Sequence, residues 1–498
     1  MKIYQIVSTL NFGDAIGNDV IAIKHVIEDM GIKTFICAES ISDKIKENGV
    51  FSLDRMPKLS DDDIVIYHMG SGAETNSRVA SMNCRKIMRY HNITPPEFFD
   101  MDDPVASEHC RKGLEDMERV MRGRFNAHVT VSGFNKSCMV EMGYSPESID
   151  VIPIIVPFED YRKTPDEEMV RKLSDGIVNI VFVGRIAPNK KHEDIIRSFA
   201  YYKKYINPKS RLILAGSCNE DGVYYNDLLE YIDVLGVQDV VFPGHISFEE
   251  LLAIYKTAHV FLCMSEHEGF CVPLLEAMTF DVPIIAYDSC AVPETMGGSG
   301  IVTDSKEPAF VARIIDRLVK DNDLRSKVIG AQQERLKRFD YETIKKEFQE
   351  YLRRFMEKFP PLSPDSPSEN LSRLYDIVDE NMKKAGKDTG FTREALLACA
   401  GRCSGDTDVT ALLNSGLYDM PVRAVIETVY TAFFNMLPDE KGYEDWGNAA
   451  KNMEKDEFIR HFVSTAANSR MRKDKGTRVR YNPFADAEPI QKGGTAAT

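Results

Sequence analysis

Two carboxylates separated by seven residues, Glu268 and Glu276, mark the stretch of the chain with the clearest chemical potential. The apolar run His259–Met264 predicts a buried strand, a polar turn follows at 265–269, and Pro273 is well placed to open a helix. A strand, a glycine turn and a helix start leave free backbone N–H groups beside a pocket, where a phosphate or sugar oxygen can bind. Capping glutamates in an ordinary strand–helix unit would give the same local pattern.

A second stretch places cations at the end of another predicted strand. The apolar run from Ile180 ends at Gly184, and Arg185 and Lys190 follow before a predicted helix over Glu193–Tyr205. An Arg fork and a Lys ammonium at the carboxyl end of a strand suit a diphosphate. A solvated basic turn is the alternative for either residue taken alone.

The spacing of these residues resembles a known family. The pattern Glu-Gly-Phe-x-x-Pro-Leu-Leu-Glu-Ala from Glu268 is similar to the Glu-x7-Glu signature of retaining GT-B glycosyltransferases of family 4, the glycosyl transferases group 1. The Gly-Arg-x-x-x-x-Lys pattern from Gly184 resembles the diphosphate clamp of the same family. The resemblance covers residues 1–358 and is strongest over 178–304.

The resemblance implies roles for five residues. Glu268 would lie close to the donor sugar and Glu276 would hold the ribose of the nucleotide. Arg185 and Lys190 would stabilise the diphosphate leaving group. His91 would lie near the donor sugar and the attacking acceptor, which makes the implied catalytic set Glu268, His91, Arg185 and Lys190.

Further substrate contacts are expected around both loops. Cys271 stands where the family usually has Gly, so a Cβ there could reshape the donor pocket. The loop after the first strand lies on the acceptor and phosphate side in the family, although a plain turn is an equal alternative. The full set of expected contacts, besides Glu276, is Gly13, Asp14, Asn18, Gly184, His245, Gly269, Phe270, Cys271 and Val272.

His91 and His68 each stand at the carboxyl end of an apolar run, where open α/β sheets bind ligands. A lone His is more often a surface residue or a satisfied core residue. The family carries a His that corresponds to His91, and an imidazole there could hold a sugar hydroxyl or stabilise charge. We therefore expect His91 rather than His68 in the site.

The acidic run 61–63 resembles the metal-binding Asp-x-Asp of a different glycosyltransferase fold. It precedes a predicted buried strand, where carboxylates more often cap an element than bind a metal. We interpret the run as structural. We expect no essential metal and no cofactor, with the nucleotide sugar acting as a substrate.

The implied fold is α/β of the GT-B type, with two Rossmann-like domains facing a cleft and a C-terminal all-α domain. Strands are predicted at Ile3–Ser8, Thr34–Ala38, Ile64–His68, Lys86–Tyr90, Ala127–Val131, Arg211–Ala215, Val240–Phe242 and Pro283–Tyr287, with helices at Val20–Met30, Asp166–Leu173 and Tyr225–Leu235 and two more before Phe359. The predicted regions are an acceptor-side domain (1–165), a nucleotide-sugar domain (166–340), a crossover helix (341–359), a linker (360–369), a helical accessory domain (370–480) and a disordered tail (481–498).

The C-terminal third lacks strand signals. Helices are predicted at 371–384, 393–400, 421–437 and 456–468, in a pattern similar to a helical module of undefined role in bacterial glycosyltransferases. Trp446 is expected to anchor its core, with a sugar-stacking platform as the alternative. The module could support self-association. Residues 470–480 carry six basic and one acidic side chain, which could attract anionic lipid or a charged acceptor, although a solvated tail is the simpler interpretation.

The composition and charge of the chain argue against several classes of protein. The chain has 498 residues and a net charge of −15, which argues against a nucleic-acid binder. No apolar run approaches the roughly 18 residues of a membrane span, and the start predicts a strand rather than a signal peptide. Scattered cysteines predict a reducing compartment. We expect a cytoplasmic protein, with peripheral contact to the inner membrane face left open.

The function that the resemblance implies is hexose transfer with retention, without metal, from a nucleotide-diphosphate sugar (GDP-mannose or a UDP-hexose). The acceptor would be a glycan, a lipid-linked oligosaccharide or a protein-linked group in bacterial polysaccharide synthesis. Two alternatives stay open: a sugar-nucleotide epimerase or phosphorylase of the same fold, and a non-catalytic glycan- or protein-binding protein working through its helical C-terminus.

Overall fold

The computed structural model describes residues 1–361 except 12, 61, 83 and 245, and residues 422–423, 425–426, 429–430, 438, 440–455, 457–459, 461–462 and 465–466. The chain divides into two compact units, Met1–Glu118 with Phe125–Pro361, and Arg119–Arg124 with Leu362–Thr498. Several predicted features lie outside the described residues: His245, the linker beyond 361, the helices at 371–384 and 393–400, the basic segment 470–480 and the tail 481–498.

Seven short strands form the first sheet. The strands are β1 (Ile3–Leu10), β2 (Thr34–Ile41), β3 (Val50–Ser52), β4 (Ile64–Met69), β5 (Arg85–Tyr90), β6 (Ala127–Thr130) and β7 (Ile149–Val151). They pair in the order β3-β2-β1-β4-β5-β6-β7, and every pairing is parallel. The helices of this half are α1 (Ala15–Asp29), α2 (Glu74–Ser81), α3 (Pro104–Asp116) and α4 (Gly133–Glu141).

The second sheet is also parallel. Its strands are β8 (Val178–Val183), β9 (Ser210–Ala215), β10 (Val240–Val241), β11 (Val260–Cys263), β12 (Ile284–Tyr287) and β13 (Ile301–Thr303), in the order β10-β9-β8-β11-β12-β13. Its helices are α5 (Glu167–Leu173), α6 (His192–Tyr205), α7 (Val223–Leu235), α8 (Phe248–Thr257), α9 (Val272–Thr279), α10 (Val292–Met296), α11 (Pro308–Lys320) and α12 (Asn322–Leu336). Most residues of the central strands β8, β11 and β12 are apolar, because a parallel sheet is covered on both faces. The predicted pair of Rossmann-like sheets is confirmed.

A last helix, α13 (Tyr341–Lys358), follows the second sheet but packs on the first. Its buried face, with Ile344, Phe348 and Leu352, joins the apolar cluster that contains Ile3 of β1 and Val129 of β6. Side chains spaced three and four apart give this helix one apolar stripe, which explains how it spans back to the first sheet.

Several predicted elements differ from the structure. Helix α1 begins at Ala15 and not at Val20, because the Asp14 carboxylate accepts from the Gly17 N–H at 2.5 Å and caps the helix earlier. The predicted pair of helices before Phe359 is wrong. Asp321 caps a separate helix, so α11, α12 and α13 fill this region.

The capping box at the start of α8 matches the sequence prediction. Ser247 accepts from the Glu250 N–H, and the Glu250 carboxylate accepts from the Ser247 N–H at 2.7 Å. Asp63 also has the structural role predicted for the acidic run. Its carboxylate accepts from the backbone N–H groups of Lys2 and Ser60 at 2.8 Å each.

The described part of the second unit is helical. Helix α14 (Glu440–Lys451) presents Trp446 to a cluster with Val429, Phe458 and Phe462, and the Trp446 and Phe462 ring centroids are 3.9 Å apart. Trp446 is fully buried, so it anchors the core and its ring faces are closed to a sugar. None of the described helices combines the length and the apolar character needed to cross a bilayer.

Candidate active site

The two loops singled out in the sequence meet at the switch point of the second sheet. Strands β8 and β11 are adjacent although they are not consecutive in the chain, and the crevice outside the carboxyl ends of such strands is where open α/β sheets bind ligands. The loops are joined by backbone and side-chain hydrogen bonds. The Glu266 N–H donates to the Asn189 carbonyl at 2.9 Å, and the Asn189 amide donates to the His267 carbonyl at 3.1 Å.

Lys190 and Glu268 form an ion pair at this point. The Lys190 Nζ lies 2.7 Å from a Glu268 carboxylate oxygen, and the side chains are 20% and 8% exposed. Burial alone would lower the pKa of Lys190, but the Glu268 carboxylate outweighs it and the pKa is raised. The structure therefore holds a fixed ammonium and a fixed carboxylate side by side, as a site for a charged donor requires.

Arg185 is the second cation of the predicted diphosphate clamp, and its side chain is exposed. Its guanidinium lies 5.5 Å from the Phe99 ring centroid, so it stacks across the cleft on a residue of the first half. Gly184 and Gly216 bring the ends of β8 and β9 close together. A Cβ on Gly216 would lie 2.0 Å from the Gly184 carbonyl oxygen, which explains a glycine there.

Glu276 lies on α9 with both carboxylate oxygens already engaged. Tyr161 donates to Oε1 and Tyr255 to Oε2, each at 2.5 Å. Burial raises the pKa of Glu276, although the two tyrosine hydroxyls act in the opposite direction. Tyr161 belongs to the short 3-10 helix Phe158–Arg162 between the two sheets. The expected ribose-binding carboxylate thus has two phenol partners in this state.

The Glu268–Gly269 turn touches the first half of the molecule. A Cβ on Gly269 would lie 2.8 Å from the His91 carbonyl oxygen and 2.6 Å from Asn92 Cβ, so only glycine allows this approach. The Ser132 hydroxyl caps α4 and also donates to the Gly269 carbonyl at 2.7 Å. The first half therefore closes directly over the switch point.

His91 is brought to the cleft together with His68. The rings stack, with His68 Nδ1 3.0 Å from His91 Nε2 and His68 Nε2 2.9 Å from the Gln5 side-chain oxygen. Burial holds the pKa of each imidazole well below its usual range, so both rings stay neutral. His91 Nδ1 is buried and has no hydrogen-bond partner among the described residues. The two histidines act as a pair and not as competing candidates.

A buried ion pair supports this histidine pair. The Arg89 guanidinium binds the Asp19 carboxylate, with Nε 2.5 Å from Oδ2, and also donates to the carbonyls of Ile152 and Pro153. Asp19 Oδ1 accepts from the Ile155 N–H at 3.0 Å. Because both ions are fully buried and multiply bonded, they fix α1 and β5 to the segment that leads out of the first half.

Residues 270–272 have packing and helix-capping roles in the structure, and their expected contacts with the donor stay a prediction. The Phe270 ring is 5% exposed and packs edge-on against Phe339, so its side chain belongs to the core. Cys271 caps α9 in the left-handed conformation, at φ 71° and ψ 67°. Val272 is half-buried and begins the helix. The left-handed backbone at Cys271 accounts for the family's usual glycine at this position.

The loop after β1 lies at the switch point of the first sheet, where β1 and β4 pair. Gly13 has φ 81°, Asp14 caps α1, and the Asn18 N–H donates to the Asp14 carbonyl at 3.0 Å within the first helical turn. These contacts are those of the plain turn considered above. The expected acceptor or phosphate role of the loop stays a prediction.

Sequence reasoning missed several residues of the cleft. His267 Nε2 lies 2.6 Å from the Asn92 side-chain oxygen across the cleft, and Glu294 accepts from the Gly133 and Phe134 N–H groups at the start of α4. His267 directly precedes Glu268, and this position next to a predicted site residue is the sequence signal that could have identified it. Asn92 has a φ of 83°, and this left-handed conformation could not be predicted from the sequence.

Comparisons with known proteins agree with this geometry. Residues 167–335 match the family described as Glycosyl transferases group 1. The matched segment spans the second sheet from β8 to β13. It contains Arg185, Lys190, Glu268 and Glu276, and both strands of the second switch point.

Curated relatives match part of this chain. It is 23% identical to O-antigen chain mannosyltransferase B of Escherichia coli over 48% of this chain and 62% of the relative. It is 30% identical to mannosylfructose-phosphate synthase of Agrobacterium fabrum over 30% of this chain and 38% of that relative. The chain thus spans less than two thirds of the length of these relatives.

Solved structures share the fold. The Anabaena HepE structure in complex with UDP and glucose matches with a TM-score of 0.56 at 17% identity, covering 71% of this chain and all of that one. Sucrose-phosphate synthase from Thermosynechococcus elongatus matches with a TM-score of 0.58 at 15% identity, over 72% of this chain. The fold of the first unit is therefore GT-B, as predicted.

Proposed function

We propose that the protein is a retaining glycosyltransferase that moves a hexose from a nucleotide-diphosphate sugar to a glycan, lipid-linked or protein-linked acceptor. The observation that carries the proposal is the Lys190–Glu268 ion pair at the switch point of the segment that matches the group 1 family, with the His91 backbone closing over it. A fixed ammonium suits the diphosphate and a fixed carboxylate suits the sugar end of one donor.

The chemistry assigned to these residues is charge stabilisation and positioning. As the bond from the anomeric carbon to the diphosphate oxygen breaks, Arg185 and Lys190 offset the charge that develops on the diphosphate. The acceptor oxygen attacks from the same face and its proton passes to the departing diphosphate. Glu268 is assigned to orient the sugar, and the buried, neutral His91 imidazole is assigned a place near the donor sugar and the acceptor. No protein nucleophile or metal is needed in this scheme.

The donor is either a UDP-hexose or GDP-mannose. The HepE structure contains UDP and glucose, whereas the Escherichia coli relative is named a mannosyltransferase. A thermal-shift and hydrolysis screen of UDP- and GDP-sugars, with and without a chelator, separates the two. We expect one nucleotide to raise the melting temperature and its sugar to be released slowly, with the chelator making no difference. No response to any nucleotide would contradict the proposal.

Variants of the ion pair test the assignment of the site. Lys190→Ala and Glu268→Ala should each lower turnover by about 100-fold or more while the fold persists, because each removes a charge aimed at the donor. Lys191→Ala is the matched control, since the adjacent ammonium pairs with Glu193 and Glu266 at 3.4 Å each. Unchanged turnover in both site variants would remove the pair from catalysis.

The alternatives are distinguished in the same experiments. An epimerase would convert the donor into its sugar epimer with no acceptor, and a binding protein would turn over no donor at all. The relatives named above are a mannosyltransferase and synthases, which favours transfer.

A further inference from the structure

Two thiols lie against the Glu268 carboxylate, and the proposed transfer reaction uses neither. Cys263 ends β11 and Cys271 caps α9, and their residues are 0% and 6% exposed. Cys263 Sγ, Cys271 Sγ and one Glu268 oxygen all lie within 4.8 Å of one another. The strand and the helix start thus bring two sulfur ligands and one oxygen ligand to one point.

A second group of metal-ligating side chains, Asp19 with His68 and His91, is less suited to a cation. Both Asp19 oxygens are occupied, and the fully buried Arg89 guanidinium lies 2.5 Å away. A metal ion there would face a fixed positive charge. The thiols have one cationic neighbour in the described structure, the Lys190 ammonium, and its charge is already paired with Glu268 at 2.7 Å.

We propose that Cys263, Cys271 and Glu268 bind a thiophilic divalent cation such as Zn²⁺. Two thiolates and a carboxylate, with a fourth position left to water, are an accepted tetrahedral ligand set for Zn²⁺. Zn–S bonds of about 2.3 Å place two sulfurs about 3.8 Å apart in a tetrahedron, and the observed grouping within 4.8 Å needs little movement to reach this.

The charges of the site favour the same conclusion. Binding releases both thiol protons to solvent, which leaves two thiolates and one carboxylate. The divalent cation and the Lys190 ammonium balance these three negative charges, so no net charge remains buried. The cation takes one Glu268 oxygen, and Lys190, which contacts a Glu268 oxygen at 2.7 Å, stays beside the carboxylate as the second positive charge.

Cadmium binding by the full-length protein tests the site. Cd²⁺ is the probe, because its bonds to thiolates give an ultraviolet charge-transfer band that needs no activity measurement. After removal of thiol reductant, we expect the band to saturate at one Cd²⁺ per chain. It should be lost in Cys271→Gly, which suits the left-handed backbone, and in Cys263→Ala. Cys37→Ala, a buried thiol on β2, is the control that should keep the band.

Glu268→Gln should weaken Cd²⁺ binding by about tenfold or more, because an amide oxygen replaces a charged ligand. Absence of the band, or a band that persists in both cysteine variants, would overturn the proposal, and an unchanged affinity in Glu268→Gln would overturn the three-ligand set.

The consequence for activity rests on the proposed function: the cation would occupy the donor-sugar end, so Zn²⁺ should inhibit wild-type turnover but spare Cys271→Gly. Because the spectroscopic test stands without turnover, failure of the metal site and failure of the transferase proposal give different results.

Discussion

At the scale of single residues, Cys271 is an L-residue in a conformation that favours glycine. Its φ of 71° is left-handed, and its side chain is nearly buried. A residue with a Cβ in this region costs roughly 1–2 kcal/mol relative to glycine, and a β-branched residue more. The unusual residue at this point of the signature is thus held by surrounding structure and not by its own backbone preference.

Substituting valine at the two cysteines of the site separates backbone strain from packing. Cys271→Val should lower the free energy of unfolding by about 1–3 kcal/mol, because a β-branched side chain resists positive φ. Cys263→Val is the matched control, since β-branched residues suit a buried strand such as β11. Urea unfolding of both variants is the measurement. Equal losses would mean that packing and not φ decides the cost.

At the scale of elements, the short helix Phe158–Arg162 lies in the segment between the two sheets and contacts Glu276. It carries Tyr161 to the Glu276 carboxylate, whereas Tyr255 reaches the same carboxylate from α8. Tyr161 is 9% exposed and Tyr255 fully buried, so Tyr161 is the partner that a ligand could displace. Glu276 is only 8% exposed, so a ribose reaches its carboxylate most directly by replacing the Tyr161 phenol.

Removing the Tyr161 hydroxyl should therefore tighten nucleotide binding. A hydrogen bond to a charged group contributes about 1.5–3 kcal/mol, so losing this competitor should lower the Kd of the cognate nucleotide by about tenfold in Tyr161→Phe. Isothermal titration with UDP and GDP measures it. Tyr255→Phe, which removes the buried partner, should not tighten binding. A weaker Kd in Tyr161→Phe would show that the phenol assists the nucleotide instead.

The elements that could be predicted from the sequence are those with a local signal. Long apolar strands such as β4 and the capping box of α8 follow from residue order alone. The three-residue strands β3, β7 and β13 are too short to show a period, and they were not predicted. Tyr161 and Glu276 are 115 residues apart, so no spacing rule pairs them.

The contact between His68 and His91 could likewise not be predicted from the sequence. The register that sets His68 opposite Arg89, and Met69 opposite Tyr90, places His68 and His91 side by side. From the sequence they are two candidates for one role. Only the parallel pairing of β4 and β5 makes them partners.

At the scale of the whole molecule, buried neutral histidines couple the fold to pH. Burial lowers the pKa of His68, His91, His128 and His192, the last two to about 4 and about 3. In the unfolded chain these groups titrate near 6.5, so the unfolded state binds more protons below that pH. These four histidines therefore lower the free energy of unfolding progressively as the pH falls below about 6.5, and they leave it unchanged above that pH.

His128 allows this coupling to be measured at one position. Its ring packs edge-on against Tyr144, its Nδ1 lies 3.1 Å from the Ser148 hydroxyl, and its Nε2 has no partner in the described structure. His128→Phe keeps the ring and removes the proton site. Wild type should lose about 2 kcal/mol of its free energy of unfolding through this group between pH 7 and pH 5, and the variant should not.

Urea titrations at both pH values should show that difference, whereas His109→Gln, at an exposed position, should leave the wild-type pH dependence in place. An unaltered pH dependence in His128→Phe would mean that this imidazole becomes protonated in the folded protein without cost, and that the acid sensitivity arises elsewhere.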